Sequence, residues 1–247
     1  MLAVDEQTLR DIAPRFEGNH ASSQASIIGA IGSILRPTLE SFDISSPLRI
    51  AHFLAQTCEE SDGYCTTVEY LSGEEYNGRT DLGNTHAGDG PRYKGRGLLQ
   101  LTGRVHYAEY GRLLGKDFVN NPGLAADPKI SLFVACEYWK QRDLNGYADQ
   151  DDIAAITHKI NGGYNGLAQR RFYLARAKAV LARPILRALG FPVATDGDFV
   201  ATTKLAVMRF QAAHRLAQDG ILGPRTWDAL SAATPPSNGP IVANAAA

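Results

Sequence analysis

The chain has 247 residues, 44% of them hydrophobic and 21% charged, with 25 Lys and Arg against 26 Asp and Glu for a formal charge of −1. Such a composition excludes a chain disordered throughout, and the interspersed signs, with no basic run, exclude a surface that binds nucleic acid by neutralising phosphates. No apolar run reaches membrane-spanning length, and the opening MLAVDEQTLRDIAPRF lacks a basic then apolar leader, so we expect a protein made in the cytoplasm without a signal peptide.

In chain order, Asp5 opens a short helix that ends near Pro14, and SSQASIIGAIGSIL predicts a second one, opened by Ser22 or Ser23 and stopped before Pro37. Ser46 is a helix cap with Pro47 in the first helical position, and Ala51, Leu54, Ala55 and Cys58 then form an apolar stripe at helical spacing. From about residue 62 to 104 the pattern gives way to a stretch rich in Gly, Asn, Asp and Arg. A loop of that length inside a compact domain is usually functional. Helices resume at Asp127 and Pro128, continue in DQDDIAAITHKI, which Asn161 and Gly162 end, and again in GLAQRRFYLARAKAVLA.

After Ala182 the texture changes to a compact unit with its own Leu, Val, Phe and Trp core positions, punctuated by turns at Asp196 (DGDF) and Gln218 (QDGILG). A Pro, Ala, Ser and Asn-rich tail follows and is expected to be disordered. The organisation expected is a main domain over residues 1–181, a small domain over 182–232 and a tail over 233–247. The three cysteines, Cys58, Cys65 and Cys136, show no CxxC spacing and are read as buried thiols, because a cytosolic chain is kept reduced.

The chemistry concentrates in TCEESDGYCTTVEY, Thr57 to Tyr70. Glu60 falls at the C-terminal end of the Ser46 helix, where the negative end of the macrodipole and the adjacent Glu59 both favour a carboxyl that keeps its proton, as a general acid must. Adjacent helical residues point about 100° apart, so Glu59 and Glu60 cannot both serve one site. Glu69 lies beyond Gly63, where the chain has left the helix and is free to turn back across a cleft. Two carboxylates across a cleft are what glycosidic hydrolysis requires, one protonating the leaving oxygen and the other activating water. The six histidines have no metal-binding spacing, DLGNTHAGDG lacks the EF-hand pattern, and GDGPRYKGRG lacks the closing residues of a phosphate loop, so neither metal nor cofactor is expected.

AHFLAQTCEESDGY, GDGPRYKGRGLLQLTGRVHY and HKINGGYNG together resemble the family 19 glycoside hydrolases, which include plant-type chitinases and phage endolysins. The resemblance implies a mainly α, lysozyme-like two-lobed fold, with Glu60 as the acid although Glu59 stands where the family usually has a histidine. It implies a base about where Glu69 stands, with Glu74 and Glu75 as rivals. Gln100 is then expected to bind an acetamido sugar, Thr102 to hold the nucleophilic water, Asn161 to line the cleft and Arg170 to join the carboxylate network. Asn165 stands where plant-type members carry a glutamate, which fits the endolysin branch better. Tyr76, Tyr93, Tyr107 and Tyr164 are candidates for stacking on sugar rings. The unit from about Arg183 to Leu230 resembles the three-helix peptidoglycan-binding domain. Together these imply a monomeric, inverting muralytic glycosidase of endolysin type, with peptidoglycan as partner, no nucleic acid and no membrane insertion, reaching the wall through a separately made membrane pore. The alternatives are a chitinase, a lytic transglycosylase, and an inactive wall-binding protein.

Overall fold

The computed structural model describes residues 4–193 and 199–233. The expectations for the DGDF turn and for the tail after residue 233 lie outside them. Among the described residues the fold is mainly helical, with no strand beyond two isolated antiparallel bridges, Val68 to Arg96 and Arg96 to Leu101. The helices are α1 (Glu6–Ile12), α2 (Gly18–Gly32), α3 (Leu35–Ser41), α4 (Pro47–Glu60), α5 (Asp89–Arg92), α6 (Arg104–Leu114), α7 (Pro128–Gln141), α8 (Leu144–Asp149), α9 (Ile153–Asn161), α10 (Leu167–Ala188), α11 (Phe199–Ala213) and α12 (Pro224–Ala233). No described helix is long and apolar enough to cross a membrane.

Short polar side chains start these helices by satisfying amides the helix itself leaves open. Asp5 and Thr8 form a capping box, Ser46 Oγ accepts the Arg49 N–H at 3.2 Å, and Asp127 Oδ1 accepts from Lys129 and Ile130 at 3.0 Å each. Gly162, at φ 74°, closes α9 in the left-handed conformation that glycine adopts most readily. Two boundaries differ from the sequence reading. α2 begins at Gly18 rather than at Ser22 or Ser23, and it ends at Gly32; Pro37 stops nothing, since it sits in the first turn of α3, where its missing N–H needs no partner. α10 runs on through Pro184 to Ala188, because Leu181, Ala182 and Leu186 continue the buried stripe while Pro184 falls on the exposed face.

The core has two centres. The larger gathers α1 to α4 and α7 to α10 around Phe53 and Trp139, both wholly buried and packed edge to face at 5.4 Å. Side chains of this size each contribute roughly 1.5–3 kcal/mol when buried. The smaller joins Tyr93, Leu101, Tyr107, Tyr110, Phe118 and Val134. These are two lobes, and α7 serves both, with Cys136 and Trp139 in the large one and Val134 in the small. Segment 93–101 straddles them, because Leu98 and Leu99 pack into the large core and Tyr93 and Leu101 into the small. The C-terminal unit brings Val207, Phe210, Leu222, Trp227 and Leu230 into the large core, with α11 against α10 and α12 against α4. Its QDGILG turn is organised by Gln211, which donates to Asp219 Oδ1 at 2.8 Å and accepts the Gly220 N–H at 2.9 Å. All three cysteines are buried free thiols.

Candidate active site

α4 and α10 run antiparallel through the large lobe. His52, Gln56 and Glu60 recur every fourth residue on α4, so they line one face of it. Arg170, near the start of α10, faces the end of that row. Its guanidinium is buried, pairs with Glu60 Oε1 and donates to Gln56 Oε1. Its Nε reaches the Asn165 carbonyl at 3.4 Å, and Gln56 in turn donates to Thr157 Oγ1 on α9 at 3.4 Å. Glu60 keeps 16% of its side chain exposed against 3% for Arg170, so the carboxyl sits at the open end of a buried polar row. One turn of chain locks the end of α4: Ser61 Oγ donates to Thr57 O at 2.6 Å and accepts the Tyr64 N–H, and the buried Tyr64 hydroxyl bonds to Leu54 O at 3.1 Å.

Glu59 points elsewhere, as helical geometry requires. Its carboxylate lies against Gly166, at the N-terminal end of α10, where an added Cβ would collide with it. Burial raises its pKa, Arg170 opposes this, and the neighbouring Glu60 and Asp62 raise it further.

Glu69 is held by different means. Its backbone N–H donates to Gly95 O at 2.9 Å, and the Gly95 N–H returns to Glu69 Oε2 at 2.9 Å. Tyr76 Oη donates to Glu69 Oε1 at 2.8 Å, and Lys94 Nζ binds the backbone oxygens of Glu69 and Leu71 at 3.0 and 2.8 Å. Burial, and then the bond to Glu69, push the Tyr76 phenol up to about 12, so it remains a donor through the neutral range. A Cβ at Gly95 would stand 2.6 Å from Gln100 Oε1 and 3.1 Å from Glu69 Oε2; only glycine lets these two side chains meet over the backbone. Gln100 takes a left-handed φ of 51° and donates to Gly97 O at 3.0 Å. Thr102 Oγ1 donates to Gln100 O at 2.8 Å, which leaves its lone pairs as acceptors.

The structure therefore joins Glu60 with Arg170, brings Glu69 and Gln100 to the same glycine, Gly95, and ties Thr102 to the Gln100 backbone. Asn161 is exposed as the last residue of α9. Glu74 and Glu75 are exposed, with Glu74 accepting from Asn77 at 2.6 Å, while the Tyr76 that follows turns to Glu69. Of the stacking candidates, Tyr93 and Tyr107 are core residues of the small lobe, and Tyr164 is 61% exposed beside the His158 ring. The sequence reading passed over Gln56, although its place in line with His52, one turn before the candidate acid, was the available signal. Among the described residues no group of three or more His, Cys, Asp or Glu is placed to hold a metal ion.

Comparison with known proteins gives two family matches: chitinase class I over residues 45–164 and a putative peptidoglycan binding domain over residues 180–230. A glycosyl hydrolase family 19 domain-containing protein of Haemophilus influenzae is 35% identical over 41% of this chain and 49% of its own length. Acidic endochitinase Q of Nicotiana tabacum is 34% identical over 49% of this chain and 53% of its own. The chain thus spans about half the length of the curated relatives it matches. Among solved structures, chitinase C of Streptomyces griseus superposes with a TM-score of 0.56 at 20% identity, covering 73% of this chain and 77% of that one. A second bacterial family 19 chitinase gives 0.56 at 20%, covering 80% and 98%. At these identities the likeness establishes the fold, which is the lysozyme-like, two-lobed α fold expected from the sequence.

Proposed function

We propose that the chain, which matches chitinase class I and then a putative peptidoglycan binding domain, is a wall-degrading glycosidase of endolysin type, cleaving the β-1,4 bond between N-acetylmuramic acid and N-acetylglucosamine. The observation that carries the reading is the pair of unlike carboxylate settings: Glu60 at the mouth of a buried guanidinium row, and Glu69 held by two neutral donors beside Gln100.

In the proposed reaction the Glu60 carboxyl gives its proton to the glycosidic oxygen as the bond to the anomeric carbon breaks. Water attacks that carbon from the opposite face and loses a proton to Glu69. The neutral Tyr76 and Gly95 donors fix the orientation of the Glu69 carboxylate, as a base requires. Thr102, with its own hydrogen committed to Gln100 O, accepts the second hydrogen of the water and so sets its orientation. Gln100 presents its amide to an acetamido group, and Asn161 lines the approach. The sugar emerges with inverted configuration and no covalent intermediate.

The test is a digest of purified Gram-negative sacculi with wild type and Glu60→Gln, reduced with borohydride and read by mass spectrometry. Removing a general acid costs about 10²- to 10⁴-fold in rate. We expect new reduced muramic ends from wild type alone, with wall binding kept by the variant. Anhydro ends would replace hydrolysis with transglycosylation, and equal yields from both proteins would remove Glu60 from the reaction. A second reading, a chitinase acting on GlcNAc polymers, is favoured by the 34% identity to an endochitinase. Chitooligosaccharide cleaved while sacculi stay intact would select it.

A further inference from the structure

A groove of about 260 Å³ lies where the C-terminal unit meets α10. Its floor is apolar, with Leu174 on α10, Val207 on α11 and Leu222 after the QDGILG turn all buried. Its lip carries Ile221, 57% exposed, and the exposed cations Arg171 and Lys204. Neither cation has an ion-pair partner among the described residues. A third cation, Lys178, also lines the groove but is already bound to Asp151, with Nζ at 2.5 and 2.6 Å from its two oxygens. Asp219 of the adjoining turn, whose Oδ1 accepts from Gln211 Nε2 and the Ile221 N–H at 2.8 Å each, offsets part of the charge of Lys204, and Arg171 keeps the lip positive.

We propose that this groove is the seat of the wall's stem peptide, a short acidic peptide rich in alanine. The inference rests on the wall as substrate, and the groove's chemistry chooses between the two halves of that polymer. A glycan strand is recognised by rings that stack on its sugar faces and by dense amide and carboxylate hydrogen bonding. Among the described residues the groove lining contains no aromatic ring, no amide side chain and no carboxylate. A stem peptide instead offers small methyl groups for an apolar floor and free carboxylates for a guanidinium and an ammonium at its edge. One wall of the groove is α10, whose Arg171 directly follows the Arg170 that pairs with Glu60. A peptide held there is gripped by the module and the catalytic helix together, so binding fixes where the attached glycan leaves toward the site.

The experiment titrates the full chain by calorimetry with synthetic L-Ala-γ-D-Glu-meso-diaminopimelate-D-Ala, with the same peptide amidated at its carboxyl groups, and with chitotetraose. The expected result is saturable binding of the free peptide, weakened at least tenfold by amidation and at least tenfold in Arg171→Glu/Lys204→Glu, with chitotetraose binding unchanged. Ile221→Ser, which leaves the charges in place, should weaken the peptide several-fold and serves if the double variant does not fold. No saturable peptide binding by wild type, or equal affinity across these variants, overturns the groove assignment. The sacculus digest keeps the two readings separate. Muramic ends released by a chain that ignores the peptide leave the glycosidase standing and remove the groove, whereas peptide bound by a chain that releases none does the reverse.

Discussion

Glu60 and Glu69 are nine residues apart in the sequence, yet their surroundings are built on opposite plans. Glu60 belongs to a row of buried polar groups drawn from α4, α9 and α10, and its partner is a full positive charge from a residue 110 positions away. Glu69 belongs to a loop, and its partners are a phenol seven residues on and a backbone amide. A charged partner fixes the position of a carboxyl strongly. Neutral donors orient a carboxylate without adding a compensating charge, which suits a group that must take a proton from water.

The strongest way to break this contrast is Arg170→Leu. It removes the centre of the row and leaves Gln56 Oε1 buried without its donor and Glu60 without its countercharge. Breaking a buried pair from one side costs roughly 3–5 kcal/mol; Glu60 is partly exposed, so about half of that is expected. Thermal melting should fall by several degrees, and hydrolysis with it. A variant that melts like wild type would show that the row carries no stability.

Glu59→Gln sharpens the contrast without dismantling it. Burial, Glu60 and Asp62 raise the pKa of Glu59 against the pull of Arg170. Its titration therefore lies above the usual carboxylate range, and as pH rises through it a negative charge appears beside Arg170 and Glu60. The profile of kcat against pH for wild type should carry that step, and Glu59→Gln, which never ionises, should lack it. Profiles of the same shape would show that Glu59 serves only to pack Gly166.

A smaller effect is expected at the other carboxylate. Tyr76→Phe removes one of two donors to Glu69 and keeps the ring and the Gly95 amide. A hydrogen bond to a charged group contributes about 1.5–3 kcal/mol, and substrate-bound water repairs part of it. A loss of kcat of roughly tenfold, with KM little changed, is expected from initial rates on oligosaccharide. If KM alone rises, Tyr76 is a sugar contact and not the support of the base.

The two plans also explain what the sequence disclosed. The Glu69 setting is drawn from one Gly-rich stretch that the sequence marks, with Tyr76 seven residues on and Gly95 26 residues on. The capped starts of α1, α4 and α7 were legible too, since a cap and its amide lie within three residues. The Glu60 setting is assembled by packing. Nothing near Gln56 announces that it meets Arg170, and the place of Glu59 over Gly166 depends on how α10 approaches α4. Packing also defeated the proline rule at Pro184, where a buried stripe on the other face of α10 outweighs the lost bond. The groove beside Lys204 was illegible altogether, because it exists only where two units meet.

The far end of the same row gives the smallest effect. His52 is wholly buried, with Nε2 2.8 Å from Asp151 Oδ1, and Lys178 binds that carboxylate from α10. Its Nδ1 has no partner among the described residues, so the neutral ring donates through Nε2 and a second proton would find no acceptor there. Burial lowers the pKa of His52 from 6.5; Asp151 and Asp152 oppose, and Lys178 reinforces the burial. The unfolded chain therefore binds its proton first as pH falls. The stability linked to His52 is complete above about 6.5 and is lost as pH drops from there through the lowered folded value. Melting curves of wild type and His52→Gln from pH 8 to 5 should converge, wild type losing a few degrees more than the variant, at about 2–4 °C per kcal/mol for a chain of this size. Parallel curves would mean that Asp151 keeps His52 charged in the fold, and the buried row would then end in a charged triad instead of a neutral ring.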